Sequence, residues 1–304
     1  MKKITSIILS AFIALSSVSA QDADSYEIKV SSPNGSPALA LATLAEKKPE
    51  NYTYIAAETI AAEFANAKSD FIVAPVNAGA KLYKMGKSKY KLAAVLTWGN
   101  LYFASQKKNF KIKDIKKNEI TLFGENTINA SVALAALQSN KISAKSVNYL
   151  GSAAATQNLL LSDSNAIVLT AEPLLSAAKM KNQKIIAYPV NDLYKKASGF
   201  DGYAQAGLFV KAETAQNHAE VVKDFLKAAE ESCKKCTDDI PSVAKAAELL
   251  EIMPNAKLAQ SAIPNCAIRF VSASEAKKQV ETTAQIDLKQ FGGAIPADNF
   301  YYGE

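Results

Sequence analysis

The chain has one histidine, one arginine and one tryptophan in 304 residues, and each scarcity excludes a kind of site. With His218 as the only histidine, no histidine-based triad and no histidine-rich metal centre can be built. No GxSxG, HExxH or phosphate-binding-loop pattern occurs. His218 itself lies at the start of a predicted helix, which favours a surface or capping role. We therefore expect no enzyme: no catalytic residue, no metal ligand and no cofactor.

Arginine is nearly absent, so almost all of the positive charge comes from lysine, and Arg269 is the only arginine. The lysines are scattered along the chain, whereas nucleic-acid grooves cluster arginine and lysine with interleaved aromatic residues. The formal net charge of +6 includes Lys2 and Lys3, which leaves +4 for residues 21–304. We expect no nucleic-acid partner.

Long apolar runs are also missing, apart from a short one near the beginning. Lys2 and Lys3 precede the run Ile7–Leu15, and a small-x-small motif ending at Ala20 follows, before the polar Gln21. This pattern is typical of a secretory signal peptide, because the run is too short to span a bilayer. The prediction is a signal peptide over residues 1–20 and an exported mature protein, without a lipid-anchoring cysteine at its start.

Cysteine occurs three times, at Cys233, Cys236 and Cys266. Export permits disulfides, and an odd number leaves at least one thiol free or paired outside the chain. Cys233 and Cys236 form a CxxC motif that closes a predicted helix, where the helix dipole opposes the low thiol pKa of redox motifs. We expect a structural disulfide, either local or to Cys266, with free thiols as the alternative.

What the chain does contain is a repeated order of strand, turn and helix, which predicts an α/β fold. The predicted strands are 26–30, 52–56, 71–76, 93–105, 119–123, 146–150, 166–170, 184–188 and 203–210. The predicted helices are 38–45, 59–66, 77–83, 128–138, 151–161, 174–179, 219–229, 242–250 and 274–288. The alternation favours parallel sheets, and residues 268–271 could be a strand or an extended segment.

The stretch 93–105 organises this order, because an apolar run is interrupted by Trp98 and Gly99. Alone, it fits a core tryptophan beside a bulge. A second long strand, 203–210, also contains a glycine and returns later in the chain. Two such strands predict a hinge between two lobes: residues 21–105 plus 206–304, and residues 106–205. In that setting we expect Trp98 to face the cleft.

Several motifs carry a resemblance to a known family: Ser32-Pro33-Asn34-Gly35-Ser36-Pro37-Ala38, 70–77, Trp98-Gly99-Asn100-Leu101-Tyr102, Ala171-Glu172-Pro173, 205–210 and 292–302. In their order, the chain resembles the solute-binding proteins of ABC transporters, of the nitrate/sulfonate/taurine type with a type II periplasmic-binding fold. The resemblance implies a periplasmic monomer whose lobes close on a small-molecule solute, and an ABC permease at the inner membrane as its partner.

The candidate ligand-binding residues follow strands or begin helices on either side of the hinge. They are Asn34, Gly35, Ser36, Asn77, Trp98, Gly99, Asn126, Thr127, Ser152, Ala153 and Glu172. Glu172 has two interpretations, a helix-capping carboxylate or a ligand-facing acceptor. No arginine lies in a cleft loop, so we expect a neutral or cationic heteroaromatic solute, such as a vitamin or pyrimidine precursor, stacked on Trp98 or Tyr102.

Three alternatives remain open. Helix N-termini could bind a sulfonate or nitrate anion without an arginine. The chain could be an exported enzyme on the same fold, since enzymes of pyrimidine synthesis share it. It could also be an adhesion or interaction protein that has lost its ligand, which would show a filled, apolar cleft and an internally paired Glu172.

Overall fold

The computed structural model describes residues 26–303, and the predicted signal peptide, residues 1–20, lies outside them. Eleven described strands form two sheets. The first sheet contains β1 (Val30–Pro33), β2 (Tyr52–Ile55), β3 (Phe71–Pro75), β4 (Tyr90–Thr97), β10 (Ala206–Lys211) and β11 (Ile268–Ser272). The second contains β5 (Leu101–Ser105), β6 (Glu119–Phe123), β7 (Ser146–Leu150), β8 (Ile167–Ala171) and β9 (Ile186–Pro189).

Helices cover both sheets. They are α1 (Ser36–Ala40), α2 (Ala42–Ala45), α3 (Ile60–Asn66), α4 (Val76–Lys84), α5 (Ile128–Ser139), α6 (Ala153–Ser162), α7 (Leu174–Lys181), α8 (Val190–Ser198), α9 (Ala212–Asn217), α10 (Ala219–Asp238), α11 (Ile240–Leu249), α12 (Ala256–Ala262) and α13 (Ala273–Ile286). Short 3₁₀ turns lie at Pro49–Asn51, Ala57–Thr59, Ile112–Lys117, Ile263–Asn265, Leu288–Phe291 and Asp298–Phe300. Within residues 26–303, no helix combines the length and the apolar character that a membrane span requires.

Two α/β lobes joined by two crossings are confirmed, but the sheets are not wholly parallel. The strand orders are β11-β4-β10-β3-β1-β2 and β7-β6-β8-β5-β9. In each sheet, the strand that arrives from the other lobe is inserted antiparallel: β10 between β3 and β4, and β5 between β8 and β9. A strand entering from the hinge starts at the edge where the parallel strands end, so it has to run the opposite way.

The organising stretch 93–105 is two strands rather than one. The chain leaves the first sheet after Thr97 and enters the second at Leu101, so the crossing consists of Trp98, Gly99 and Asn100. Residues 101–105 therefore pair within the second sheet, although the predicted lobe boundary stands at residue 105.

Other predicted elements shift or divide. The first strand begins at Val30 rather than residue 26, and the predicted helix 38–45 is split into α1 and α2 at Leu41. Ser36 is the first residue of α1, and Gly35 holds the N-cap position, with a φ of 95° that a side chain would disfavour. Three helices that the pattern did not predict, α8, α9 and α12, follow β9, β10 and α11.

The two crossings pack directly against each other at glycines. Gly99 has a φ of +90°, and an added Cβ there would lie 2.5 Å from Cε1 of Tyr203 and 2.6 Å from Oδ1 of Asn191. On the returning segment, a Cβ at Gly202 would overlap the carbonyl oxygen of Trp98. The hinge therefore has no room for side chains at these positions.

The C-terminal tail packs against the first lobe by burying its aromatic residues. Phe300 and Tyr301 are buried, and Tyr301 forms a bridge with Leu92 of β4. The backbone N–H of Tyr302 donates to the carbonyl of Leu92 at 2.7 Å. The last described residues are thus packed against the first sheet and form part of the first lobe.

The predicted disulfide is wrong, because Cys233, Cys236 and Cys266 are all free and buried. Each thiol contacts a backbone carbonyl instead: Cys233 contacts Ala40, Cys236 contacts Leu39, and Cys266 contacts Ala262. Burial raises the pKa of all three thiols, to about 12 for Cys236. These cysteines act as small core residues.

Candidate functional site

A cavity of about 320 Å³ lies where the two lobes and both crossings meet. Its lining combines apolar residues with carboxamides and carries no charged side chain. The lining residues are Pro33, Pro37, Ile60, Pro75, Asn77, Ala78, Asn100, Thr127, Ile128, Asn129, Gln205, Ala206 and Gln290. A concave site that is mostly apolar, with a few convergent polar groups, is the usual form of a small-molecule site.

Two helix N-termini, one from each lobe, reach this cavity. The helix α4 follows β3 and contributes Asn77 and Ala78, while α5 follows β6 and contributes Ile128 and Asn129. Neither helix receives a side-chain cap. Uncapped N-terminal N–H groups and the helix dipole favour a hydrogen-bond acceptor or a negative charge in front of them.

Asn77 lines the cavity and carries a polar atom without a hydrogen-bond partner. It is the second residue of α4, and Pro75 holds the N-cap position. Its Oδ1 atom is buried and has no hydrogen-bond partner among residues 26–303. A buried polar atom without a partner costs free energy.

The carboxamide of Asn100 links the segments of the hinge by hydrogen bonds. Its Nδ2 donates to Oγ of Ser36 at 2.8 Å and to the carbonyl of Glu172 at 2.9 Å. Its Oδ1 accepts from Nε2 of Gln205 at 2.8 Å. This network joins both lobes and both crossings, and all polar atoms of the Asn100 side chain are used within it.

Further contacts hold the lobes together on both sides of the cavity. Towards the C-terminal segment, Nε2 of Gln290 donates to the carbonyl of Asn126 at 2.6 Å, and Ser131 donates to Asp287 at 2.7 Å. Near β5, the hydroxyl of Tyr102 donates to the carbonyl of Asn265 at 2.9 Å. The described arrangement is therefore one in which the lobes touch around the cavity.

Of the candidate ligand-binding residues, Asn77 and Thr127 line the cavity. Ser36 is buried beside it and donates to the carbonyl of Glu172 at 3.3 Å, while Asn34 is exposed. Asn126 is also exposed and contributes its carbonyl to Gln290. Gly35 and Gly99 are not among the lining residues, and both have positive φ angles.

Ser152 and Ala153 lie away from the cavity. Ser152 is the N-cap of α6, and its Oγ accepts from the N–H of Ala155 at 3.2 Å. The preceding strand, β7, is the edge strand of the second sheet, so the loop after it lies beyond the strands that border the cavity. Their predicted role in the site has no geometric support.

Trp98 is a core residue and does not face the cavity, contrary to expectation. It is buried at 3% exposure, and its Nε1 donates to the carbonyl of Arg269 at 2.8 Å. The guanidinium carbon of Arg269 lies 4.8 Å from the centroid of the indole ring. The tryptophan is thus held against β11 by a hydrogen bond and a cation–π contact.

Glu172 is likewise used internally. Its carboxylate accepts hydrogen bonds from the N–H of Ser176 at 3.1 Å and from Oγ of Ser176 at 3.0 Å, in the first turn of α7. Burial raises the pKa of Glu172, while the bonds from Ser176 and the charge of Lys179 oppose that rise. Of the two interpretations, the helix-stabilising carboxylate is the one that the geometry supports.

Four polar residues of the lining were not among the candidates: Asn100, Asn129, Gln205 and Gln290. Asn100 and Gln205 lie at the two crossings, so their positions next to the predicted hinge could have indicated that they line the cavity. Asn129 lies in the first turn of α5, next to the predicted Thr127. Gln290 follows the last helix and reaches the cavity only through the tertiary fold, which no local pattern indicates.

A larger cavity of about 450 Å³ lies elsewhere, between α4 and the C-terminal tail. It is lined by residues of the first lobe alone, among them Tyr83, Phe291, Ile295 and Phe300. Because it does not adjoin the second lobe, lobe closure cannot enclose a solute there.

No protein-family model and no curated protein matches the chain. Solved structures do. An ABC transporter from Parabacteroides distasonis is similar at 24% identity with a TM-score of 0.77, covering 91% of this chain and 99% of that one. The periplasmic aliphatic sulphonate binding protein SsuA from Escherichia coli is similar at 14% identity and a TM-score of 0.67, covering 86% of each chain.

A third similar structure is the alkanesulfonate-binding protein SsuA from Xanthomonas axonopodis pv. citri, bound to MOPS. It is 12% identical with a TM-score of 0.63, and covers 90% of this chain and 97% of that one. Two of these three structures are thus sulfonate-binding proteins, and the other is an ABC transporter protein. The chain has the fold of periplasmic solute-binding proteins, with two α/β lobes and a cavity at their junction.

Proposed function

We propose that the protein is the exported solute-binding component of an ABC importer, which captures a small molecule between its lobes and delivers it to a membrane permease. The observation that carries the proposal is the cavity of about 320 Å³ at the hinge, reached by uncapped helix N-termini from both lobes. A site made by two lobes forms on closure and opens on separation, as capture and release require.

The lining favours a particular class of solute. It contains no carboxylate to pair with a cation and no aromatic ring to stack on. The helix N-termini and the amide of Asn129 offer donors, so we infer an uncharged or negatively charged solute with hydrogen-bond acceptors at one end. Its apolar part would contact Ile60 and Ile128. The sulphonate ligands named for two similar structures agree with this chemistry.

The heteroaromatic vitamin or pyrimidine precursor is the second candidate. Its two expected contacts are lost, because Trp98 is packed against Arg269 and Glu172 is bonded to Ser176. What still favours a neutral heterocycle is the carboxamide of Asn77, whose free Oδ1 could accept from a ring N–H.

The other two alternatives are weaker. An adhesion protein without a ligand would pair Glu172 internally, as observed, but it would also fill its cleft. Here the cavity is present, and Asn77, whose Oδ1 has no partner among residues 26–303, is one of its lining residues. An exported enzyme needs a nucleophile and a base in contact, and the lining has no titratable side chain.

The experiment is a binding panel on the purified mature chain, preceded by mass spectrometry of any co-purified solute. Alkanesulfonates, carboxylates, nitrate, neutral heterocycles and primary amines would be compared by thermal shift and calorimetry. We expect acceptor-rich anions or neutral solutes to raise the melting temperature and amines not to. A panel in which amines bind best would refute the inferred solute class.

The matched variants are Asn77→Leu and Asn148→Leu. Asn77→Leu should weaken the best ligand at least about fivefold, because a hydrogen bond to a buried amide is lost. Asn148 is exposed on β7, so the same substitution there should change affinity less than about twofold. If both variants bind like the original protein, the solute does not occupy this cavity.

A further inference from the structure

The fold gathers lysines that are spread along the sequence onto one edge of the second sheet. This edge, termed the basic edge, consists of the loops 106–119, 140–145, 163–166 and 182–185. These loops contain nine lysines and three carboxylates, Asp114, Glu119 and Asp163, for a net charge of +6. Residues 21–304 carry +4 in total, so everything outside the basic edge sums to −2.

Strand directions place these loops together. β6, β7 and β8 are parallel, and the loops 140–145 and 163–166 precede β7 and β8. β5 is antiparallel to β8 and ends at Ser105, so the segment 106–119 begins at the same edge and leads into β6. Ile186 of β9 pairs with Ser105, which brings the loop 182–185 to this edge as well.

The lysines of the basic edge lie on a backbone that is held in place by buried side chains, and they form no ion pairs within residues 26–303. Lys108, Lys111, Lys113, Lys116 and Lys117 are exposed, and no ion pair found in residues 26–303 includes a lysine of the basic edge. Their backbone is fixed by the buried side chains of Phe110 and Ile115. In the 3₁₀ turn Ile112–Lys117, Lys113 and Lys116 are three residues apart and so share a face.

We propose that the basic edge binds the surface of a membrane that contains anionic phospholipids. The charge is broad and lies on several loops, and five well-formed cavities in residues 26–303 include no residue of these loops. A protein partner would need pockets for anchoring side chains, whereas a lipid surface needs only accumulated positive charge. Each lysine near an anionic leaflet strengthens binding roughly fivefold.

The solute cavity lies at the opposite edge of the same sheet, since Thr127 and Ile128 follow the end of β6. Attachment through the basic edge therefore leaves the cavity accessible. Membrane binding requires no solute, and the inference stands independently of the proposed function.

The test is co-sedimentation of the purified mature chain, without solute, with vesicles of phosphatidylcholine alone or mixed with phosphatidylglycerol, at low and high salt. We expect binding to the phosphatidylglycerol vesicles only, and its loss at high salt because screening weakens the attraction. Absence of binding at low salt would overturn the proposal and leave an acidic protein surface as the alternative.

Two charge-matched variants separate the basic edge from net charge. The first carries Gln at Lys111, Lys113, Lys116 and Lys117, and the second carries Gln at Lys227, Lys235, Lys245 and Lys257, which are exposed on α10, α11 and α12. The first should lose vesicle partitioning by roughly six hundredfold, four factors of about five, and the second by less than about threefold. Equal losses in the two variants would show that net charge alone acts, and would refute the proposal. Thermal unfolding checks that both are folded.

Discussion

Replacing Gly99 by alanine should destabilise the protein more than any ordinary glycine-to-alanine change, because two costs combine at this position. At a φ of +90°, a side chain costs about 1–2 kcal/mol. The new methyl would also lie 2.5 Å from Cε1 of Tyr203 and 2.6 Å from Oδ1 of Asn191. Relieving such overlap in a packed region costs about 1–3 kcal/mol. The total expected loss is about 2–5 kcal/mol.

Neither neighbour of Gly99 is free to move aside. Tyr203 is fully buried, and its hydroxyl donates to Asn129 at 3.1 Å. The amide of Asn191 donates to the carbonyls of Trp98 and Gly99, both at 2.9 Å. Swinging either side chain away would therefore break hydrogen bonds of the hinge.

Two matched glycines separate the costs in urea-unfolding experiments followed by circular dichroism. Gly86 has a φ of +67° with nothing within 4 Å of an added Cβ, so Gly86→Ala should show the backbone cost alone, about 1–2 kcal/mol. Gly151 has neither constraint, and Gly151→Ala should be neutral or slightly stabilising. If Gly99→Ala costs no more than Gly86→Ala, the close contact of the crossings does not constrain the hinge.

Three further outcomes follow from the buried groups. Trp98→Phe should lower the free energy of unfolding by about 1–2 kcal/mol, because the hydrogen bond to the carbonyl of Arg269 is lost. The affinity for the solute should change less than twofold, and a tenfold loss of affinity would show that Trp98 contacts the solute. Reductant should leave the melting temperature unchanged, and a thiol reagent should label Cys233, Cys236 and Cys266 only after unfolding; rapid labelling of the native protein would contradict their burial. Because the pKa of Glu172 is raised by burial, its ionisation destabilises the folded state as pH rises through the unfolded value of about 4.3. Glu172→Gln should therefore gain stability relative to the original protein as the pH rises above about 4.3 in paired urea titrations, and an opposite trend would contradict the raised pKa.

Much of the fold was predictable because its units are local. Each strand, turn and helix of a lobe is encoded by a short segment, so β3 with α4 and β6 with α5 could be located from apolar runs and the polar residues after them. Asn77 and Thr127 were found for the same reason, since the ends of strands β3 and β6 border the cavity.

What could not be predicted depends on long-range packing. Local residues do not reveal that β10 and β5 are antiparallel insertions, because their direction is set by the lobe from which they arrive. Trp98 was misplaced because its face depends on β11, which lies about 170 residues later in the chain. Gln290 reaches the cavity from beyond the last helix, and its approach is equally non-local.

The tail that pairs Tyr301 with Leu92 has a consequence for the order in which the molecule folds. All strands of the second sheet come from one continuous segment, 101–189, so that lobe can be completed early. The first lobe needs β10 between β3 and β4, and then needs Phe300 and Tyr301 in its core. Contacts so distant in sequence form slowly, because a long loop must close before any of them is gained. While the chain is released with its N-terminus first, the second lobe can therefore fold completely before the first lobe, which needs the last residues of the chain.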